Sequence, residues 1–215
     1  MSPRSSGMKW SEFAEPSYVR GLLERAINKF HKSRDSGLLL PGKPDEQNRA
    51  PRQGSVGERA IAHRLAVHIE TELIDSHIAE NFPELVVDCE YNRHRGAIKS
   101  FRIQKELKER VVKARRAVRD DPVRDGWYVF SIFPDIIVHQ REFDTKNLLV
   151  VELKRSSNTI DPDYDHLKLE LFTATGDYGY GYALGVALVI VEDAQPSKRY
   201  IRTMANYVGG KQWKS

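Results

Sequence analysis

The amino-acid sequence predicts an α/β fold in which helices flank a mixed central sheet. Two segments, 55–80 and 161–175, have apolar residues at helical spacing. Short apolar runs of strand type lie around them, and YALGVALVIV (182–191) is the longest of these. The order is helix, strand, a basic helical insertion, two strands, helix and strand. Strands that alternate with helices in this way are typical of an α/β sandwich.

Composition narrows the class of protein. A chain of 215 residues with 40% hydrophobic residues is long enough and apolar enough for one domain with a buried core. Cys89 is its single cysteine, which excludes an intramolecular disulfide. The first ten residues have no apolar signal core, and no apolar run reaches the length of a membrane span. These features favour a cytoplasmic protein without a membrane segment.

The N-terminal part is predicted to be an appendage. SYVRGLLERAINKFHKS (17–33) has the spacing of an amphipathic helix, and PGKPDEQNRAPRQG (41–54) has the composition of a flexible linker. We therefore divide the chain into residues 1–54, the N-terminal helix and linker, and residues 55–215, the main domain. The helix is expected to pack on the main domain, or to form a contact with a second copy or a partner protein.

The main domain begins with a helix and a strand. SVGE (55–58) has the form of a capping box, and the helix is expected to reach about residue 80. LVVDCEY (85–91) alternates like a strand with one buried face. The residues expected on its buried face are Val87, Cys89 and Tyr91, and those on the opposite face are Asp88, Glu90 and Asn92.

A basic segment interrupts the domain. KSFRIQKELKERVVKARRAVR (99–119) has nine Lys or Arg and two Glu, and it predicts a helix within an insertion at about 95–126. Residues 1–54 have a charge balance of +4 and residues 99–119 one of +7, so a net charge of +4 leaves −7 for the remaining residues. Two basic parts on an acidic body indicate a polyanionic partner, most plausibly nucleic acid; a solvated charged helix is the alternative.

Two β-type runs contain charges within them. They belong to FPDIIVHQREFDTKNLLVVELKR (133–155), in which Glu152 and Lys154 are two residues apart and so share one face of a strand. Asp135 begins the preceding apolar run. If the two runs pair as a hairpin, Asp135 approaches Glu152 at one end of the sheet.

Such a group indicates phosphodiester hydrolysis. Two nearby carboxylates repel each other unless a cation lies between them, and oxygen ligands favour Mg²⁺. A lysine beside the cation can position the attacking water or neutralise the charge that develops on phosphate. The alternative is an ordinary salt bridge at a strand end.

These residues carry a resemblance to a known family. Pro134-Asp135 followed by Glu152-Leu153-Lys154 resembles the motif of the PD-(D/E)XK nuclease superfamily. The order of elements from 55 to 192 is similar to the core of that family, the α-β-β-β-α-β arrangement of the restriction-endonuclease-like fold. The resemblance covers roughly two-thirds of the chain.

The resemblance implies roles for individual residues. Asp135 and Glu152 would bind Mg²⁺, with Mn²⁺ as a substitute, and the backbone carbonyl of Leu153 would be a further ligand. Lys154 would orient or activate the attacking water. Glu58 matches the position of an additional acid from the first helix; its alternative role is the capping-box bond to the amide of Ser55.

The function that follows is a Mg²⁺-dependent endonuclease, acting on DNA in a prokaryotic restriction, defence or repair setting. Two other functions stay open: a non-catalytic nucleic-acid-binding or assembly subunit on the same scaffold, and an RNA-directed nuclease. The residues expected to contact phosphates are Lys105, Lys108, Arg115, Arg116, Arg119, Arg155 and Lys168.

Overall fold

The protein is an α/β protein with N-terminal helices and a six-stranded mixed sheet that packs against helices. The computed structural model describes residues 9–40, 56–91, 93–94, 97–98, 100–103, 122–123, 127–157, 163–176, 179–193 and 195–214. Within these ranges, no helix has the length and apolar character needed to cross a membrane.

The helices and strands follow the expected order with additions at both ends. The helices are α1 (Trp10–Phe13), α2 (Pro16–Lys32), α3 (Glu58–Asp75), α4 (Ile78–Asn81) and α5 (Asp163–Thr173). The strands are β1 (Leu85–Cys89), β2 (Arg93–His94), β3 (Ala97–Ile98), β4 (Ser100–Ile103), β5 (Pro122–Val123), β6 (Trp127–Ser131), β7 (Ile136–Gln140), β8 (Asn147–Arg155), β9 (Leu184–Val191), β10 (Tyr200–Val208) and β11 (Lys211–Trp213).

The central sheet has the strand order β1-β7-β8-β9-β10-β11. Strands β8 and β9 are parallel and are joined through α5, whereas all the other neighbours in this sheet are antiparallel. A parallel pair needs a long crossover, and α5 supplies it. Two small ribbons, β2-β3 and β4-β6-β5, lie outside the central sheet.

The predicted hairpin is confirmed as β7 and β8. Ile136 pairs with Val151 and Val138 pairs with Leu149, after which a bulge shifts the register. Asp135 precedes Ile136 by one residue, so this register places it opposite Glu152 at the end of the hairpin.

Two cores lie on the two faces of the sheet. The first core, on the side of α2 and α3, takes Leu149, Val151 and Leu153 from β8. The second core, on the side of α5, takes Val150 from the same strand. This alternation, which is inherent to a strand, directs Glu152 towards α5, as expected.

The N-terminal helix α2 is part of the first core. Its buried side chains pack with those of α3, and the apolar face that could have bound a partner is therefore covered. Glu72 on α3 is buried and accepts from Arg25 and Lys29 of α2, which adds ion pairs to the apolar contact. The helix therefore packs on the main domain. The domain boundary at residue 54 and a dimer or partner contact through this helix stay predictions.

Three local expectations are wrong. Tyr91 packs on the second core, whereas Val87 and Cys89 pack on the first, because β1 ends at Cys89 and the backbone of Glu90 has a positive φ of 49°. Residues 100–103 form strand β4 and not the start of a helix, since Phe101 and Ile103 alternate into the second core. The rest of the predicted basic helix, residues 104–119, lies outside the described residues.

The third error is the omission of β10 and β11. These strands form an antiparallel hairpin, and Gly209 and Gly210 occupy its turn with φ of 56° and 78°. Positive φ at two successive turn positions is the geometry of the tight hairpin turns that favour Gly-Gly. The Gly-Gly pair was therefore a readable signal for this hairpin.

The shared core predicts that residues 9–40 are needed for stability. Phe30 on α2 is fully buried in the first core, so we expect Phe30→Ala to lower the free energy of unfolding by roughly 3–5 kcal/mol. Urea denaturation measures this change. Ile74→Ala is the control, because Ile74 is 59% exposed on α3. A Phe30→Ala protein as stable as the wild type would show that α2 is a dispensable appendage.

Candidate active site

The site residues meet at one end of the hairpin β7-β8. Asp135 lies just before β7, and Glu152 and Lys154 are on β8. The helix α5, which covers this face of the sheet, contributes Asp165 and Lys168. The structure therefore brings together the three motif residues that the sequence indicated and adds two residues from α5.

Asp135 is held by the strand opposite it. Its Oδ2 accepts a hydrogen bond of 2.7 Å from the backbone N–H of Leu153. Burial raises the pKa of Asp135 to about 6, although the Leu153 amide and the positive charge of Lys168 act in the opposite direction. The carboxyl group of Asp135 is thus harder to ionise in the folded protein than in water.

Glu152 is the most enclosed acid of the site, with 4% of its surface exposed. Its Oε2 accepts from the ammonium of Lys168. Its Oε1 is buried and receives no hydrogen bond from the described part of the chain. Burial, reinforced by the negative charges of Asp135 and Asp165, raises the pKa of Glu152 well above its ordinary value.

Asp165 connects the two lysines. Its Oδ2 pairs with Lys154, and its Oδ1 lies 3.1 Å from the Nζ of Lys168. Sequence reasoning missed Asp165, although Asp165 and Lys168 are three residues apart and therefore share one face of a helix.

Glu58 begins α3 and points to the end of β8. Its Oε1 accepts a hydrogen bond of 2.8 Å from the backbone N–H of Arg155. The residue that caps α3 is Gly57, so Glu58 does not stand three residues after the cap as a capping box requires. A capping box built on Ser55 therefore does not match the observed start of α3, whereas the bond from Glu58 to the amide of Ser55 stays a prediction, because Ser55 lies outside the described residues.

The expected phosphate contacts are not exposed where the structure describes them. The guanidinium of Arg155 pairs with Glu192 and donates to the carbonyl oxygen of Val56. Lys168 is buried against Glu152, where a solvent-exposed helix lysine was expected. The other five expected contacts, Lys105, Lys108, Arg115, Arg116 and Arg119, lie outside the described residues.

Asp88 and Glu90 are a second pair of neighbouring acids, and each of them has basic partners. Asp88 accepts from both Arg141 and His139, and the favourable bonds from these groups outweigh burial and lower the pKa of Asp88. Glu90 pairs with Arg59 at 2.6 Å. Both acids are therefore neutralised by basic side chains, as is common for structural ion pairs.

The charges at the end of the hairpin are out of balance. Within the described residues, the carboxylates of Asp135, Glu152 and Asp165 have two ammonium groups beside them, those of Lys154 and Lys168, and the negative charge of Glu58 acts on Asp135 as well. A surplus of carboxylates in a buried place is unfavourable unless a cation or protons compensate it.

The donor set fits a magnesium ion. All the surplus groups are oxygen donors, which Mg²⁺ prefers, and the unpartnered Oε1 of Glu152 is the kind of buried atom that a cation would satisfy. No cluster of three or more His, Cys, Asp or Glu side chains in metal-binding positions occurs among the described residues. Mg²⁺ usually keeps several waters, so a site with Asp135 and Glu152 as ligands would be completed by waters and substrate oxygens.

Comparisons with known proteins give no relative for this chain. No protein-family model matches it, and no curated protein and no solved structure is significantly similar to it. The site must therefore be interpreted from its own chemistry.

The desolvated carboxyl group of Asp135 predicts a pH-dependent stability. A carboxyl group whose pKa is raised on folding stabilises the fold while it is protonated, and this contribution is lost as the pH rises from about 4 through about 6. Asp135→Asn keeps an oxygen for the Leu153 amide but has no charge. We expect this variant to exceed the wild type in unfolding free energy by roughly 1–3 kcal/mol at pH 8 and to match it at pH 3.5.

Urea denaturation at both pH values measures this difference. Glu80→Gln is the control, because Glu80 lies on the exposed surface of α4. An Asp135→Asn protein less stable than the wild type at pH 8 would contradict the unfavourable charge at Asp135.

Proposed function

We propose that the protein is a metal-dependent nuclease that hydrolyses phosphodiester bonds, most plausibly a DNA endonuclease. The observation that carries the proposal is the buried, unpartnered Oε1 of Glu152, in a site where the carboxylates of Asp135, Glu152 and Asp165 outnumber the ammonium groups of Lys154 and Lys168. Buried acids with strongly raised pKa values beside a lysine are typical of functional sites, because their desolvation is costly to the fold.

The order of elements supports the finer fold assignment. Helix α3, strands β1, β7 and β8, helix α5 and strand β9 follow one another as helix, three strands, helix and strand. This is the order expected for the restriction-endonuclease-like core. In this proposal β10 and β11 extend the core sheet, and β2 to β6 lie within an insertion between its first two strands.

The acids of the site would have two different roles. Asp135 and Glu152 would hold Mg²⁺ or Mn²⁺, with the backbone carbonyl of Leu153 as a further ligand. Such a cation supplies positive charge to a phosphate oxygen and makes a bound water more acidic. Glu58 would add a negative charge from α3, in an orientation fixed by the Arg155 amide.

Lys154 is the cation that could meet the substrate. Its side chain is 22% exposed, against 9% for Lys168. From β8 its ammonium would orient the water whose oxygen attacks phosphorus, or stabilise the negative charge that develops as the P–O bond breaks. The basic segment 99–119 would bind the flanking phosphates without reading sequence.

One observation favours the non-catalytic alternative. Lys154 and Lys168 each pair with an acid of the site, so the charges are partly satisfied without a substrate. A nucleic-acid-binding subunit that retains a nuclease scaffold would bind DNA or RNA and cut neither.

Cleavage assays separate these functions. Supercoiled plasmid, linear duplex, single-stranded DNA and RNA are incubated with Mg²⁺, Mn²⁺ or EDTA. We expect metal-dependent cleavage of DNA by the wild type and a loss of at least 100-fold in Lys154→Ala, a variant that should still bind DNA.

The control is Lys211→Ala, because Lys211 is exposed and pairs with Val208, which places it at the opposite end of the central sheet from Arg155. Cleavage of RNA alone would favour the RNA-directed enzyme. Binding without cleavage would favour the non-catalytic subunit, and equal cleavage by Lys154→Ala would exclude the proposed site.

A further inference from the structure

We propose that Lys168 is a positioning residue of this site, which fixes Glu152 directly and fixes Lys154 through Asp165. The inference rests on the proposed function and extends it to a helix outside the sequence motif. It also replaces the expectation that Lys168 contacts a phosphate of the substrate.

The first support is the direct ion pair between Lys168 on α5 and Glu152 on β8. The ammonium of Lys168 binds only one oxygen of Glu152, namely Oε2. This contact holds the carboxylate in one rotamer and leaves Oε1, for which the described residues provide no donor, as the available oxygen. A lysine in this position thus determines which oxygen of Glu152 is available to bind a cation.

The second support is the shared carboxylate. Asp165 accepts from Lys168 with one oxygen and from Lys154 with the other. Lysine has a flexible chain of four methylene groups, and an isolated lysine on a strand would adopt several rotamers. Asp165 restricts Lys154, and Lys168 restricts Asp165, so the three side chains form a chain of contacts from Glu152 back to Lys154.

Burial argues against a phosphate contact. Lys168 is about as enclosed as Glu152, with side chains 9% and 5% exposed. Movement of its ammonium out to a phosphate would leave a buried carboxylate without its charge partner, which is strongly unfavourable. Side chains that bind the phosphate backbone are typically exposed and contribute to the salt dependence of binding.

The test compares Lys168→Met, Lys168→Gln and Lys168→Arg with the wild type. Cleavage gives kcat, and binding of duplex DNA with Ca²⁺ in place of Mg²⁺ gives Kd as a function of salt. We expect kcat to fall by roughly 100-fold in the Met and Gln variants, because misplacement of reacting groups has effects of that size. We expect Lys168→Arg to recover part of the rate, and Kd and its salt slope to stay unchanged in all three.

A phosphate contact would give the opposite pattern. Loss of one such contact weakens binding and reduces the salt slope by about 0.9, with little change in kcat. That result, or an unchanged kcat in Lys168→Met, would overturn the proposal. Lys211→Met is the matched control, since Lys211 is exposed at the opposite end of the central sheet.

Crystal structures of the variants test the positioning role of Lys168 without a cleavage assay. If the wild type cuts no substrate, the proposed function fails, but the positioning role still predicts that Glu152 and Lys154 change rotamer in Lys168→Gln. Unchanged positions of both side chains would overturn the positioning role. If Lys168→Gln does not fold, Asp165→Asn provides the same structural test for the position of Lys154. Asp165→Glu is then the conservative variant for comparison.

Discussion

The arrangement depends on one electrostatic constraint: the carboxylates of Asp135, Glu152 and Asp165 lie together at one end of a sheet, where the described residues supply two ammonium groups. Glu152 is almost completely enclosed, and Asp135 and Asp165 raise its pKa further. Removal of charge from water is costly, and sites that retain such a cost usually have a function that needs it. The surplus of negative charge is what makes this end of the sheet suited to a cation.

The fold holds this surplus in place by means of backbone contacts. The register of β7 and β8 places Asp135 opposite Glu152, and the Leu153 amide binds Asp135. The amide of Arg155, two residues further along β8, binds Glu58 at the start of α3. Acids from two other segments are thus oriented by one strand, whose apolar residues pack into the cores on both faces of the sheet.

Sequence reasoning could predict what depends on local pattern. The alternation of β8 gave the shared face of Glu152 and Lys154, and helical periodicity gave α2, α3 and α5 to within a few residues at most ends. It could not predict side-chain contacts between distant segments. Neither the pair Lys168–Glu152 nor the bond from Arg155 to Glu58 has a local signal, because both depend on how the helices pack on the sheet. The reversal at Tyr91 arises from a single positive φ at Glu90, which a simple alternation does not reveal.

The most direct measurement is a calorimetric titration of Mg²⁺ and Mn²⁺ into the wild type and into Glu152→Gln, without nucleic acid. Glu152→Gln keeps the shape of the side chain and removes one charge of the surplus. The constraint described above predicts that the wild type binds a divalent cation and that the variant binds it at least 10-fold more weakly, a difference of about 1.4 kcal/mol. Equal affinity of the two proteins, or no binding by the wild type, would contradict it.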